Sequence, residues 1–383
     1  MRIINNKDTK NRLVDAFGAK VGCTLYGILS FVGKPTTKLK KWNTLNKLDK
    51  EYGSTLNNRK KWKKSFKKWI GMSNSEVTDY IMENFYKNPL EELKLIGEGV
   101  PDNPHVPMGI GVIQNEIARI PELLKYHREL GVERFVFVDN GSTDGTVEYL
   151  MKQDDVALYR TTDTYDYKIA WVNRLIDYCG IDRWYLKLDG DEFLVYPEIE
   201  EKNIVDYVRD LENKEIKRVR GFMLNMYPKE KLSEININPT EFRKYYQYYD
   251  ENSDDYIFYT ETSRLCGGNI RRTTGSNYAV ISKTPLIYVD SHYIMMTSHE
   301  NFPEYEDRNS KFGLVLLHYK FLPGEEARIR EYASSEVHDR GSELYKQYEK
   351  LYDNGGQTLY FEGSHKWTGV ECLKEFEIIE RLT

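Results

Sequence analysis

The chain has 383 residues, 40 % of them apolar, and a formal net charge of −5. It is long enough for one large catalytic domain with appendages or for two domains, and apolar enough to bury a core, which excludes a disordered chain. Its four cysteines, Cys23, Cys179, Cys266 and Cys372, are far apart and form no C-x-x-C pair, which argues against a disulfide scaffold or a cysteine metal cluster and fits a reducing cytosol.

The charge is unevenly spread. Residues 1–70 hold 18 Lys and Arg against 4 Asp and Glu, so the rest of the chain carries −19. That asymmetry predicts a basic arm that meets an anionic surface, ahead of an acidic globule. The longest apolar run, 21–32, is too short to span a bilayer as a helix and lacks the flanks of a signal peptide. A protein that is cytoplasmic, or peripheral at the inner face of a membrane, is expected.

Residues 1–105 read as a basic, mainly helical extension. Within it Trp62, Phe66 and Trp69 recur at helical spacing among Lys60, Lys61, Lys63, Lys64, Lys67 and Lys68. Such a helix either lies on anionic lipid or packs on the main domain with its lysines in water. Nucleic acid is not expected, because no recognition motif accompanies the charge. A proline-rich linker at 101–107 then leads into a different pattern.

From 108 onward strands and helices alternate: strands at 108–114, 134–138, 156–159 and 184–188, and helices at 121–130, 141–152 and 167–178. Ser142, Thr143 and Asp144 are available to cap the second helix. This alternation predicts a mostly parallel sheet with helices on both faces, whose ligands bind beyond the carboxyl ends of the strands. The second half is less regular, with strands expected at 218–226 and 278–281 and one long closing helix at 328–352. A globular domain is therefore drawn as 106–383, with halves at 106–200 and 201–383.

Three polar motifs follow predicted strands. Asp189 and Asp191 flank Gly190 in the sequence DGDE; two carboxylates on such a turn can face one hard divalent cation, although acidic turns are common. A nucleotide-sugar donor needs such an ion, because its leaving group is a nucleoside diphosphate. After the second strand comes DNGSTDG, where Asp139 can accept from a base or ribose beside Asn140, or the segment is simply a capped helix start. After the first come Gln114, Asn115 and Glu116.

These motifs resemble the donor-binding start of family 2-type glycosyltransferases, and more narrowly the branch with N-E…D-N-x-S-x-D-G-T, D-x-D-E-F and a late H-Y-K-F. The resemblance covers roughly 108–375. It runs through Trp171-Val-Asn173, FMLNMYP (222–228), GGNIRRTTG (267–275), SKTPLI (282–287), LLHYKF (316–321) and GSHKWTG (363–369). It implies the GT-A fold, an α/β nucleotide-diphospho-sugar transferase fold, and an inverting hexosyltransferase, with 106–383 as the catalytic domain, 106–200 its nucleotide-sugar-binding half and 201–383 its acceptor-binding half and C-terminal helices.

Residue by residue, the resemblance implies donor contacts at Asn115, Glu116, Asp139, Asn140 and Trp171. It also implies a metal site of Asp189, Asp191 and His318, holding Mn²⁺ or Mg²⁺ with a UDP-sugar. His318 is otherwise a core histidine on an apolar strand. Arg271 and Arg272 can grip phosphate oxygens bidentately or form a solvated basic turn. The base is a choice between Glu300, Asp290 and Glu192, and Asn225 stands where the branch has an acidic residue.

The expected reaction moves a hexose from a UDP-sugar to a saccharide or lipid-linked saccharide acceptor in surface-polysaccharide synthesis, with residues 1–70 near an anionic membrane. A nucleotidyltransferase with a similar sheet and a non-catalytic sugar-binding scaffold are the alternatives. The first usually has a Gly-rich, basic loop after its first strand, which QNEIAR is not.

Overall fold

The computed structural model describes residues 93–97, 102–259, 264–277, 279–290, 293–295, 297–302, 312–335, 339–353 and 356–375. The aromatic-lysine segment at 60–69 and the apolar run at 21–32 lie outside the described residues. In chain order the strands are β1 (Lys94–Ile96), β2 (Met108–Ile113), β3 (Phe135–Asn140), β4 (Val156–Thr161), β5 (Arg183–Lys187), β6 (Glu192–Val195), β7 (Arg218–Asn225), β8 (Tyr248–Asp250), β9 (Tyr256–Tyr259), β10 (Arg264–Gly267), β11 (Ser282–Val289), β12 (Ile294–Met295), β13 (Asn301–Phe302), β14 (Phe312–His318) and β15 (Ser364–Lys366). The helices are α1 (Ile120–Glu129), α2 (Thr146–Leu150), α3 (Lys168–Cys179), α4 (Ile204–Asn213), α5 (Asn269–Thr274), α6 (Glu325–Ser335) and α7 (Asp339–Lys350). No helix among the described residues is long and apolar enough to cross a membrane.

The fold is α/β around one mixed sheet of nine strands, ordered β1-β4-β3-β2-β5-β11-β7-β14-β6. The neighbours β2/β3, β3/β4, β2/β5 and β7/β14 run parallel, whereas β1/β4, β7/β11 and β6/β14 run antiparallel. Every residue of β2 and β3 is buried, as a strand covered on both faces requires. The chain divides into two compact units. One contains Tyr167–Trp184 and Tyr288–Asn309, and the other Leu93–Asp166, Tyr185–Ile287 and Ser310–Thr383. In the first, α3 is tied to β12 by Asn173, whose amide donates to the Met295 carbonyl at 2.9 Å and accepts its N–H at 3.0 Å.

Four expectations need correction. The sheet begins before residue 106, because Lys94–Ile96 pairs antiparallel with the edge of β4. The long helix at 328–352 is two helices, α6 and α7. An unbroken 25-residue helix would extend roughly 38 Å, whereas the pair meets through Tyr332 against Tyr345 and Arg330 with Glu349. The strand expected at 278–281 starts at Ser282, and Val280 makes only a bridge to Cys266. The helix expected at 141–152 shrinks to Thr146–Leu150: Ser142 Oγ accepts the Asn115 N–H, and Asp144 divides its carboxylate between the Thr146 N–H at the helix start and the Ile117 N–H.

Helix α1 buries Ile120, Leu123, Leu124 and His127, a stripe at i, i+3, i+4 and i+7. His127 is fully buried, and its ring stacks on Phe193. Nδ1–H donates to the Leu123 carbonyl at 2.8 Å, and Nε2 accepts from the Leu194 N–H at 3.4 Å. That pairing requires a neutral ring, and burial lowers its pKa from 6.5 to about 4. Below pH 6.5 the unfolded chain takes up a proton that the folded chain refuses, so stability falls as the pH drops from 6.5 to 4. The full shift is worth about 3 kcal/mol. Urea midpoints at pH 7 and pH 4.5 should therefore differ more for the parent than for His127→Gln; equal pH sensitivity refutes this account.

Candidate functional site

Strand register gathers the site. Antiparallel pairing of β6 with β14 sets Glu192 opposite His318, and parallel pairing of β14 with β7 sets His318 opposite Asn225. The DGDE turn joins β5 to β6, closed by the Glu192 N–H donating to the Asp189 carbonyl at 3.2 Å. A Cβ on Gly190 would lie 2.6 Å from the carboxyl carbon of Glu116, so the turn packs directly against that side chain.

Asp189 and Asp191 take different partners. Asp189 Oδ2 accepts from Lys283 Nζ at 2.7 Å, and the same ammonium holds both oxygens of Glu192, at 2.8 and 2.6 Å. Asp191 Oδ2 lies 3.2 Å from His318 Nε2 and 3.3 Å from Lys320 Nζ. His318 Nδ1 is 2.6 Å from Asn225 Oδ1. A carbonyl oxygen only accepts, so the Nδ1 proton is directed to Asn225 and Nε2 is the atom turned to Asp191. The asparagine at an acidic position thus orients the histidine.

Beneath this cluster lies a buried ionic network. Arg119, fully buried, donates to Glu116 at 3.1 Å, to Glu325 at 2.8 Å and to the carbonyls of Tyr319 and Lys320 at 3.1 and 3.0 Å. Arg328 of α6 adds ion pairs to Glu116 and Glu325 and donates to the Asn115 carbonyl. Burial acts upward on Asp191, but Lys320 and then His318 outweigh it and hold this carboxyl well below the usual range. Burial dominates at Glu116 and Glu192 and raises both, against Arg119 at the first and Lys283 at the second. Lys320 is held well above its ordinary value; burial opposes its charge, but Tyr345 and Asp191 prevail.

The loops after β2 and β3 are laced together. Asn115, in the left-handed region at φ 54°, donates its N–H to Ser142 Oγ and accepts the Thr143 N–H at Oδ1. Glu116 N–H bonds Thr146 Oγ1, and Gln114 Nε2 bonds the Asn140 carbonyl. Asp139 is fully buried and braces its own loop, with both oxygens 3.2 Å from the Ser142 N–H and Oδ2 3.4 Å from Arg160 Nε. Asn140 donates to the Asp163 carbonyl.

Arg271 and Arg272 are held by partners outside the cluster. Arg272 forks onto Asp250 at 2.7 and 3.1 Å and donates to the Leu359 carbonyl. Arg271 donates to Asn277 Oδ1 and the Asp254 carbonyl. Trp171, Asp290 and Glu300 belong to the other unit; there Trp171 is fully buried in α3 and the Glu300 N–H is held by Thr297 Oγ1.

Sequence reasoning passed over Arg119, Lys283, Lys320, Glu325 and Arg328. Lys283 and Lys320 stood inside SKTPLI and LLHYKF, and Arg119 follows Glu116 by the i+3 interval of an ion pair. Among the described residues no three His, Cys, Asp or Glu side chains are grouped closely enough to hold a metal by themselves. No protein-family model matches the chain, and no curated protein matches its sequence.

Proposed function

We propose that the chain is a metal-dependent glycosyltransferase of the GT-A type, moving a hexose from a UDP-sugar to a saccharide or lipid-linked saccharide with inversion. The observation that carries this reading is the Asp191–His318–Asn225 relay at the meeting of strand ends. A carboxylate held ionised faces an imidazole nitrogen whose partner nitrogen is fixed by an amide, the arrangement that presents a histidine to a cation.

Asp191 and His318 fit Mn²⁺ as a mixed oxygen and nitrogen pair, and an ion of this kind takes its other ligands from substrate phosphates and water. When bound, such an ion neutralises charge on the departing diphosphate. The protein's own part is to hold Asp191 charged and His318 oriented, and to offer Lys320 beside them as a further cation. The acceptor oxygen attacks the anomeric carbon, the bond to UDP breaks, and a carboxylate takes the acceptor's proton. Of the three carboxylates the sequence offers for that step, Glu192 gives both oxygens to Lys283, while Asp290 and Glu300 belong to the other unit. A peripheral place at the inner membrane face, through residues 1–70, completes the reading and fits assembly of a surface polysaccharide.

The test is a screen of UDP-sugars with Mn²⁺, reading UDP release. One donor hydrolysed at least ~10-fold faster with Mn²⁺ than with chelator supports the proposal. Pyrophosphate release assigns a nucleotidyl transfer instead, and no turnover with any donor and acceptor leaves a binding scaffold.

A further inference from the structure

Lys283 sits in β11, the sheet neighbour of β5, and its side chain is 3 % exposed. The DGDE turn leaves β5 and enters β6, with β11, β7 and β14 lying between those two strands in the sheet. The Lys283 ammonium meets both ends of this turn: Asp189 Oδ2 at 2.7 Å and the two oxygens of Glu192 at 2.8 and 2.6 Å. Each of its three protons thus has a carboxylate oxygen to donate to. Glu192 is enclosed with it, at 2 % exposure, whereas 28 % of the Asp189 side chain is open. Asp191, between them in the chain, turns instead to His318 and Lys320.

The two carboxylates flanking Gly190 therefore differ in what they can offer a divalent ion. An ion bound at the Asp189 oxygen that Lys283 holds would lie within about 5 Å of the ammonium, and the two positive charges repel. A buried ammonium that withdrew would lose its counter-ions without gaining water. Lys320, the cation beside Asp191, is held less closely, at 3.3 Å, and has the Tyr345 hydroxyl and ring face as a second resting place. We propose that Lys283 is a positioning residue that withholds Asp189 and Glu192 from the divalent ion and leaves Asp191 as the turn's one carboxylate ligand, beside His318. This rests on the glycosyltransferase reading and adds the residue that divides the acidic turn between an internal cation and an incoming one.

The test is Mn²⁺ affinity, read from the free-Mn²⁺ electron paramagnetic resonance signal on the full chain with UDP present. In the parent, Asp191→Asn should weaken Mn²⁺ binding at least ~10-fold, and Asp189→Asn should change it by less than about 3-fold. Lys283→Met combined with Glu192→Gln removes the internal cation and its enclosed partner together, so no single charge is left buried. In that background Asp189 is released to the ion: affinity should rise at least ~10-fold, and adding Asp189→Asn should remove the gain. A lysine that only braces the turn would shift the thermal midpoint yet leave the cost of Asp189→Asn the same in both backgrounds, and that result overturns the proposal. So does a loss greater than about 3-fold on Asp189→Asn in the parent, a comparison that decides alone if the paired variant does not fold by circular dichroism. Either result leaves the glycosyltransferase reading standing. A parent that binds no Mn²⁺ in the presence of UDP overturns the proposal together with the function it rests on.

Discussion

Exchanging Asp191 for alanine is expected to lower donor turnover by about 10³-fold or more, the scale seen when a group that stabilises developing charge is lost. Asp191 is the only carboxylate of its turn that meets both His318 and Lys320, and those two hold it ionised against burial. Because its folded pKa lies well below the unfolded value of 3.8, the stability it contributes is complete above that value. That contribution disappears only as the pH falls through the depressed folded value, so its charge is constant across any neutral assay. Asp191→Asn separates charge from shape: it keeps the outline of the side chain and removes the anion that Mn²⁺ needs. Loss of Mn²⁺-dependent UDP release in both variants, with a folded circular dichroism spectrum, supports the assignment. An asparagine variant with parental kcat/KM refutes it.

Removing the Arg119 guanidinium is expected to produce the largest loss of stability. Arg119→Met leaves Glu116 and Glu325 buried without their shared cation and orphans the carbonyls of Tyr319 and Lys320. Breaking a buried pair from one side costs about 3–5 kcal/mol, because the remaining charge stays enclosed. Lysine should recover only part of this, since an ammonium cannot reproduce the planar fork that reaches two carboxylates and two carbonyls. The urea midpoint measures both variants, and a loss under about 1 kcal/mol for Arg119→Met shows that the network relaxes around the gap. The network also fixes α6 over the end of β2 through Arg328, so loosening it should free the loop at Gln114–Glu116.

How far the sequence reached differs by element. Strands β2 and β3 were legible from the short apolar runs that strands buried on both faces commonly present, whereas β5 shows only Trp184, Tyr185 and Leu186 between a buried Arg183 and a buried Lys187. Helix α4 carried an equally clear signal, with Asn203 capping Asp206 N–H and Ile204, Tyr207, Val208 and Leu211 on one face, but the reading passed over it. Strand β1 gave none, since three residues ending at a glycine do not show alternation. The two acidic residues of the DGDE turn were visible from their place after a strand. Their division between Lys283 and the His318–Lys320 pair was not, because those partners lie 94 and 129 residues away along the chain.

By itself the sequence determined the alternation of strands and helices, the acidic turn at 189–192 and the polar loops after the first two strands, because each is encoded by neighbours within a few residues. Tertiary structure alone decided which strands lie side by side, and with them the row Glu192, His318 and Asn225 and the buried pairs of Arg119. It also decided that Asp139 turns inward onto its loop and that Lys283 is enclosed between Asp189 and Glu192. Desolvation and charge pairing act through space between residues that the chain order keeps apart, and local periodicity carries no record of them.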